Sequence, residues 1–175
     1  MKTLLLLLAL VFPLAAGAQA YPGKPVRIIC PFPPGGGVDI TARAIAAELS
    51  NGFGQPVTVE NRPGAGGNVA AGELARSAPD GYTLMVTLNA LHSIAPLLYS
   101  KLPFDATRDF AYITTLVAFN NVLVVTPSIQ AKSVQELIAQ AKREPGKLNF
   151  GSSGNGTNIH LVGELFKSQA GMRRW

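Results

Sequence analysis

Val26-Arg27-Ile28-Ile29-Cys30-Pro31-Phe32, followed at once by Pro33-Pro34-Gly35-Gly36-Gly37-Val38-Asp39, is the stretch on which the fold turns. Residues 26–32 are mostly β-branched or apolar and are bounded by prolines, the composition of a buried strand. The prolines and glycines that follow break the chain. Beyond them the period changes. Val38, Ala42, Ile45 and Leu49 stand at i, i+4, i+7 and i+11, which aligns them on one face of a helix over residues 38–50. Gly52 supplies a stop signal.

The same order recurs downstream. Residues 56–60 (PVTVE) predict a second strand, residues 61–67 (NRPGAGG) a second glycine-rich turn, and residues 68–77 a helix of small side chains. Pro79-Asp80-Gly81 is a turn by composition. Residues 82–87 (YTLMVT) predict a third strand, and residues 90–99 a helix ending before the loop at Pro103. Residues 110–126 hold two strand-like runs broken at Asn120-Asn121. Ser133 opens another helix, with Glu136 completing a capping box, and this helix ends near Glu144. Residues 148–151 predict a short strand, residues 151–157 (GSSGNGT) a third glycine-rich turn, and residues 158–169 a last helix. Strands alternating with helices predict an α/β fold with mainly parallel sheets.

Residues 1–20 have the features of an export segment. Lys2 gives a positive start, residues 4–14 form an apolar run interrupted by Pro13, and Ala18-Gln19-Ala20 is a small-residue cleavage site. The run is shorter than the ~20 residues that a membrane-crossing helix needs. Cleavage after Ala20 and a periplasmic location are therefore expected. Cys30 is the only cysteine, so no internal disulfide is expected, and its apolar setting predicts a buried, unreactive thiol. The formal net charge is +5, without the basic stripe interleaved with aromatics that marks a nucleic-acid surface. A mild positive charge suits capture of small acids.

In open α/β sheets, turns at the carboxyl ends of the strands are where ligands bind. A helix that starts there presents unpaired N–H groups and the positive end of its dipole, an anion site that needs no basic side chain. The first turn lacks the G-x-G-x-x-G spacing of a dinucleotide site, and no G-K-[ST] follows to make a phosphate loop. Asp39, in the first helical turn, either satisfies local backbone and dipole or takes part in a ligand site. In the third turn Ser152, Ser153, Asn155 and Thr157 offer hydroxyl and amide groups around a helix start, and simple N-capping by Thr157 or Asn155 is the competing role. Ser153 and His160 do not make a catalytic pair on this pattern. The G-x-S-x-G elbow is missing, and His160 is better read as packing or capping. His92 is likewise read as structural. Two histidines without an acidic cluster at ligand spacing argue against a metal site, and no cofactor is expected.

These residues resemble a known family. Tyr21-Pro22-x-Lys24-Pro25-Val26-Arg27-Ile28-Ile29 and Pro31–Asp39 (PFPPGGGVD), then Val59–Gly67 (VENRPGAGG), Ala78–Leu84 (APDGYTL) and Gly151-Ser152-Ser153-Gly154-x-Gly156-Thr157, look like the ordered motifs of the tripartite tricarboxylate transporter receptors, also called the Bordetella uptake gene family. The resemblance implies a two-lobed, periplasmic-binding-protein type II-like fold, with a first lobe over residues 21–115 and a second from 116 to 175. It implies a monomer that binds a small carboxylic acid in the cleft and passes it to membrane permease subunits. It also implies that the segment from Phe32 to Gly37, with Pro34, Gly35 and Gly36, lies along the ligand, partly through water, and Asp39 is kept among the candidate ligand residues from its place in the first helical turn. Thr87, Asn89 and His92 would line the same cleft, and Ser152, Ser153, Gly154, Asn155, Gly156 and Thr157 would hold a carboxylate from the second lobe. Members of that family run to about twice this mature length, so a truncated second lobe, marginal stability and weak binding are expected here. A sensory receptor and, behind it, a serine-dependent hydrolase are the alternative functions.

Overall fold

The computed structural model describes residues 20–172. The expected export segment, apart from Ala20, and the three residues after Met172 lie outside the described residues. Three parallel strands form the sheet: β1 (Val26–Cys30), β2 (Val57–Asn61) and β3 (Thr83–Met85), in the order β2-β1-β3. Ile28 stands opposite Val59 on one side and Leu84 on the other. The central strand is buried on both faces, as the run VRIIC requires of a strand covered by helices.

The alternation of side chains along β1 decides which helix covers which face. Helix α1 (Gly37–Phe53) lays Ala42 and Ala46 on Ile28, with Leu84 and Val86 alongside. Residues of the opposite parity face α2 (Asn68–Ala75). Arg27 reaches Glu73 of α2 at 2.8 Å, and Met85 packs against a cluster that includes Ala71, Leu91 and Phe104. Helices on opposite faces of a parallel sheet follow from right-handed crossovers running in opposite directions, β1 to β2 through α1 and then β2 back past β1 to β3 through α2.

Several element ends differ from the sequence expectation, each for a local reason. Helix α1 runs through Gly52 and stops at Gly54, whose left-handed backbone (φ 63°, ψ 17°) lets its N–H close on Ser50 O at 3.0 Å. The helix expected over residues 90–99 is two short ones, α3 (Ala90–Ser93) and α4 (Ala95–Leu98). Pro96 has no N–H to donate and so interrupts the ladder at Ile94. Helix α5 (Val134–Arg143) starts as predicted, with Glu136 N–H donating to Ser133 Oγ at 3.2 Å. The reciprocal arm reaches one residue further back than a capping box requires: Glu136 Oε2 accepts from Lys132 N–H at 2.8 Å. Helix α6 is Asn158–Gln169.

The strand expectation fails for residues 110–126 and 148–151, which carry no strand. A β-run holds its shape through a ladder to a neighbour, and among the described residues nothing pairs with either segment. Ile113, Val122 and Val124 are accordingly about four-fifths exposed, at 79%, 80% and 80%. Among the described residues no helix is long and apolar enough to cross a membrane.

Candidate functional site

A cleft of about 370 Å³ opens at the carboxyl ends of β1 and β2. Three glycine-rich turns contribute to it: Phe32 and Pro33 from the first, residues 63–67 from the second, and Ser153, Gly154 and Asn155 from the third, with Tyr99 completing the wall. The second turn leads into α2 and the third into α6, so two helix starts lie next to the cleft. Among the described residues no ionised side chain lines it. Whatever attraction it offers an anion comes from backbone N–H groups, helix dipoles and neutral donors.

The second turn is built for close approach. Gly64, Ala65, Gly66 and Gly67 all have positive φ, and Ala65 is the one non-glycine residue among those described to do so, at φ 47°. An L-residue held there is strained, a feature that clusters at ligand sites. At Gly66 a Cβ would meet Asn155 O at 2.9 Å, so the second and third turns touch backbone to backbone only because that side chain is missing.

In the first turn a buried network sets the chain path. Asp39 Oδ2 accepts from Gly35 N–H at 2.9 Å and Arg43 Nε at 3.0 Å. Its Oδ1 accepts from Asn61 Nδ2 at 2.8 Å, and Asn61 Nδ2 also donates to Phe32 O at 2.9 Å. The end of β2 therefore ties the beginning of the turn to the first turn of α1. Hydrogen bonds from Arg43, Gly35 and Asn61 hold the Asp39 carboxyl down to about 2. Of the two roles left open for Asp39, the geometry selects the structural one, since both oxygens are occupied.

This makes a pH prediction. The unfolded Asp39 carboxyl has the ordinary value of about 3.9. Because the folded value is depressed, its stabilising contribution is fully present above that ordinary value and is lost as pH falls through about 2. Asp39→Asn should therefore lie below the parent in urea-unfolding free energy at neutral pH, and the gap should narrow between about pH 4 and about pH 2. A gap that stays constant over that range would show that Asp39 is not held as described.

The remaining predicted site residues divide. Pro34 and Gly35–Gly37 are exposed and lie outside the cleft lining, and the Phe119 ring stands against Gly37, 3.4 Å from where a Cβ would be. In the third turn Ser152 Oγ accepts from Gly154 N–H at 3.3 Å. Thr157 is buried and caps α6, its Oγ1 accepting from His160 N–H at 3.4 Å and donating to Gly154 O at 2.7 Å. Gly156 is packed on Leu98 and Tyr99. Among the described residues the Ser153 hydroxyl and the Asn155 amide group take no intramolecular hydrogen bond, which leaves them available to a ligand.

Thr87, Asn89 and His92 are not in the cleft lining. Thr87 Oγ1 turns to Leu88 O, and Asn89 O accepts the His92 N–H at 2.9 Å at the start of α3. His92 packs edge-on to Phe110 and Tyr112. Tyr112 gives its one hydrogen to Ala106 O at 2.6 Å, so at 2.9 Å it must accept from His92 Nδ1–H, and burial pushes the His92 pKa down. His160 accepts the Gly156 N–H at Nδ1, 3.3 Å away, and stacks on Phe150, the packing role expected of it. Cys30 is fully buried and its pKa is raised chiefly by that burial, as an unreactive thiol should be.

Besides Pro31, which adjoins the predicted Phe32, the segment Pro63–Gly67 and Tyr99 line the cleft without having been singled out from sequence. The segment Pro63–Gly67 carried a signal, the repeat of a strand, glycine turn and helix. Tyr99 carried none, because only the packing of α4 against the third turn brings it there.

Glycine turns that converge on a hollow at the carboxyl ends of parallel strands define an α/β protein of the solute-capturing type. Within that class, the chain belongs to the tripartite tricarboxylate transporter family receptors, whose sequence profile matches residues 41–174. Protein BugT of Bordetella pertussis is 39% identical over 159 residues, which cover 88% of this chain and 48% of that protein. Among solved structures, Rhodopseudomonas palustris Rpa4515 with adipate superposes with a TM-score of 0.85 at 36% identity, covering 88% of this chain and 52% of the other. MatC from the same organism, with bound malate, gives 0.82 at 30% identity and covers the same shares, 88% and 52%. The chain spans about half the length of the curated relatives it matches. The family is one of transporter receptors, and a solved relative 41% identical to this chain, with a TM-score of 0.84, is described as a periplasmic transporter.

Proposed function

We propose that this protein is a periplasmic receptor that captures a small carboxylic acid and delivers it to the membrane permease subunits of a tripartite tricarboxylate-type transporter. The observation that carries this reading is the convergence of the second and third glycine turns, each leading into a helix, on one cleft that also takes Phe32 and Pro33. A carboxylate there would meet backbone N–H groups at helix starts together with the Ser153 and Asn155 side chains, which are unpaired among the described residues. Phe32, Pro33, Pro63 and Ala65 offer apolar contact to a short methylene chain. The relatives described with adipate and with malate share this chemistry, a pair of carboxylates on a short carbon skeleton. Export of the chain by its first twenty residues and a monomeric receptor complete the proposal.

A thermal-shift titration with malate, adipate and the uncharged diamide of adipate tests it. A dicarboxylate should raise the melting temperature, by the equivalent of about 2.7 kcal/mol when its concentration is a hundredfold above Kd. The diamide should leave the melt unchanged, because it removes the charge that the helix starts favour. Equal shifts with acid and diamide, or no shift with any acid of the panel, would reject the reading.

A further inference from the structure

We infer that Tyr99 sets the position of the third turn and, through its ring, the length of acid that the cleft accepts. The second half of this inference rests on the carboxylate reading, whereas the first half stands on geometry alone.

Tyr99 follows α4 with an extended backbone, φ −102° and ψ 126°. Its hydroxyl donates to Asn155 O at 2.9 Å. The next N–H along, that of Gly156, donates to His160 Nδ1 at 3.3 Å. A trans peptide points its C=O and N–H in opposite directions. The single peptide plane between Asn155 and Gly156 is thus held at both edges, by Tyr99 on one side and His160 on the other. Asn155 O is also pressed toward Gly66, where a Cβ would stand 2.9 Å from it and 3.6 Å from Tyr99 Oη. At Gly156 a Cβ would meet Leu98 Cδ2 at 2.6 Å and Tyr99 Cε2 at 3.3 Å, so the turn lies directly on this part of the chain. Release of the Tyr99 hydrogen bond would free that peptide to rotate, and the Asn155 side chain with it. The ring has a separate part. It forms a wall of the cleft, so its size limits how far a ligand can extend in that direction.

Two substitutions separate these parts. Tyr99→Phe keeps the wall and removes the bond. Hydrogen exchange at the Gly156 and Thr157 amides should speed up about tenfold while the α1 amides, the internal reference, stay unchanged. Malate and adipate should both weaken, each by about three- to tenfold, the effect of one net hydrogen bond. Tyr99→Ala also removes the wall, and the adipate-to-malate affinity ratio should rise several-fold. If Gly156 exchanges no faster in Tyr99→Phe than in the parent, the inference is overturned, whatever the ligand results. An affinity ratio unmoved by Tyr99→Ala overturns the length selection. Should the parent bind neither acid, the carboxylate reading and the length selection fall together, and the exchange result still decides whether Tyr99 holds the turn.

Discussion

Gly67→Ala should lower the unfolding free energy by about 2–5 kcal/mol, the sum of a forced backbone and an overpacked core. Gly67 has φ +103°, outside the left-handed region that even asparagine visits readily. A Cβ there would lie 2.6 Å from Leu91 Cδ1 and 3.3 Å from Pro31 Cβ. Neither neighbour can give way easily. Leu91 is packed with Ala71 and Phe104 in the core, and Pro31 is fully buried at the end of β1. Because Gly67 also lines the cleft and precedes α2, the substitution should damage ligand capture along with stability. Gly52→Ala is the matched control. Gly52 lies inside α1 with nothing within 4 Å of the new methyl group. There alanine should stabilise by roughly 0.5–1 kcal/mol through helix propensity. Urea unfolding of the two variants checks both signs, and a Gly67→Ala variant as stable as the parent would show that the turn is not packed as described.

Ile28→Ala should cost about 2–5 kcal/mol, the range for a large aliphatic side chain removed from a core that cannot collapse around the gap. Ile28 is 1% exposed on the central strand, between two strands and beneath Ala42 and Ala46 of α1. The alanines opposite it are small because the helix sits close to the sheet, so no long side chain is available to swing into the cavity. Ile40, by contrast, is 61% exposed on the same helix, and Ile40→Ala should change stability by no more than about 0.5 kcal/mol. Equal losses at the two positions, measured from the urea midpoint at an unchanged m-value, would contradict the assigned core face of α1.

The sheet and its first two covering helices were legible in the residues. The run VRIIC, the switch from strand to helical period after Gly37, and the second strand before the PGAGG turn each carry their own local signal, and all appear within a few residues of their predicted limits. The capping pair Ser133 and Glu136 and the cap at Thr157 were likewise readable, because a cap is a property of a few neighbouring residues. The β-rich run over residues 110–126 misled for the complementary reason. Its composition favours a strand, but a strand exists only with a partner, and composition does not say whether one is present.

The site was legible only in outline. Residues 151–157 announced a helix start with donors around it, and Ser153, Gly154 and Asn155 do reach the cleft. Asp39 looked equally suited to a ligand role and a structural one until both of its oxygens were found occupied by Gly35, Arg43 and Asn61. Local order along this chain, meaning glycine break, helix start and cap, follows from interactions between residues close in sequence, and the residues alone decided it. Which turns share a hollow depends on contacts that join distant segments: Gly66 against Asn155, Leu98 against Gly156, and the hydroxyl of Tyr99 on the Asn155 carbonyl. Close approach of two backbones is set by where the sheet and helices place them, and the glycines permit that approach without specifying the partner.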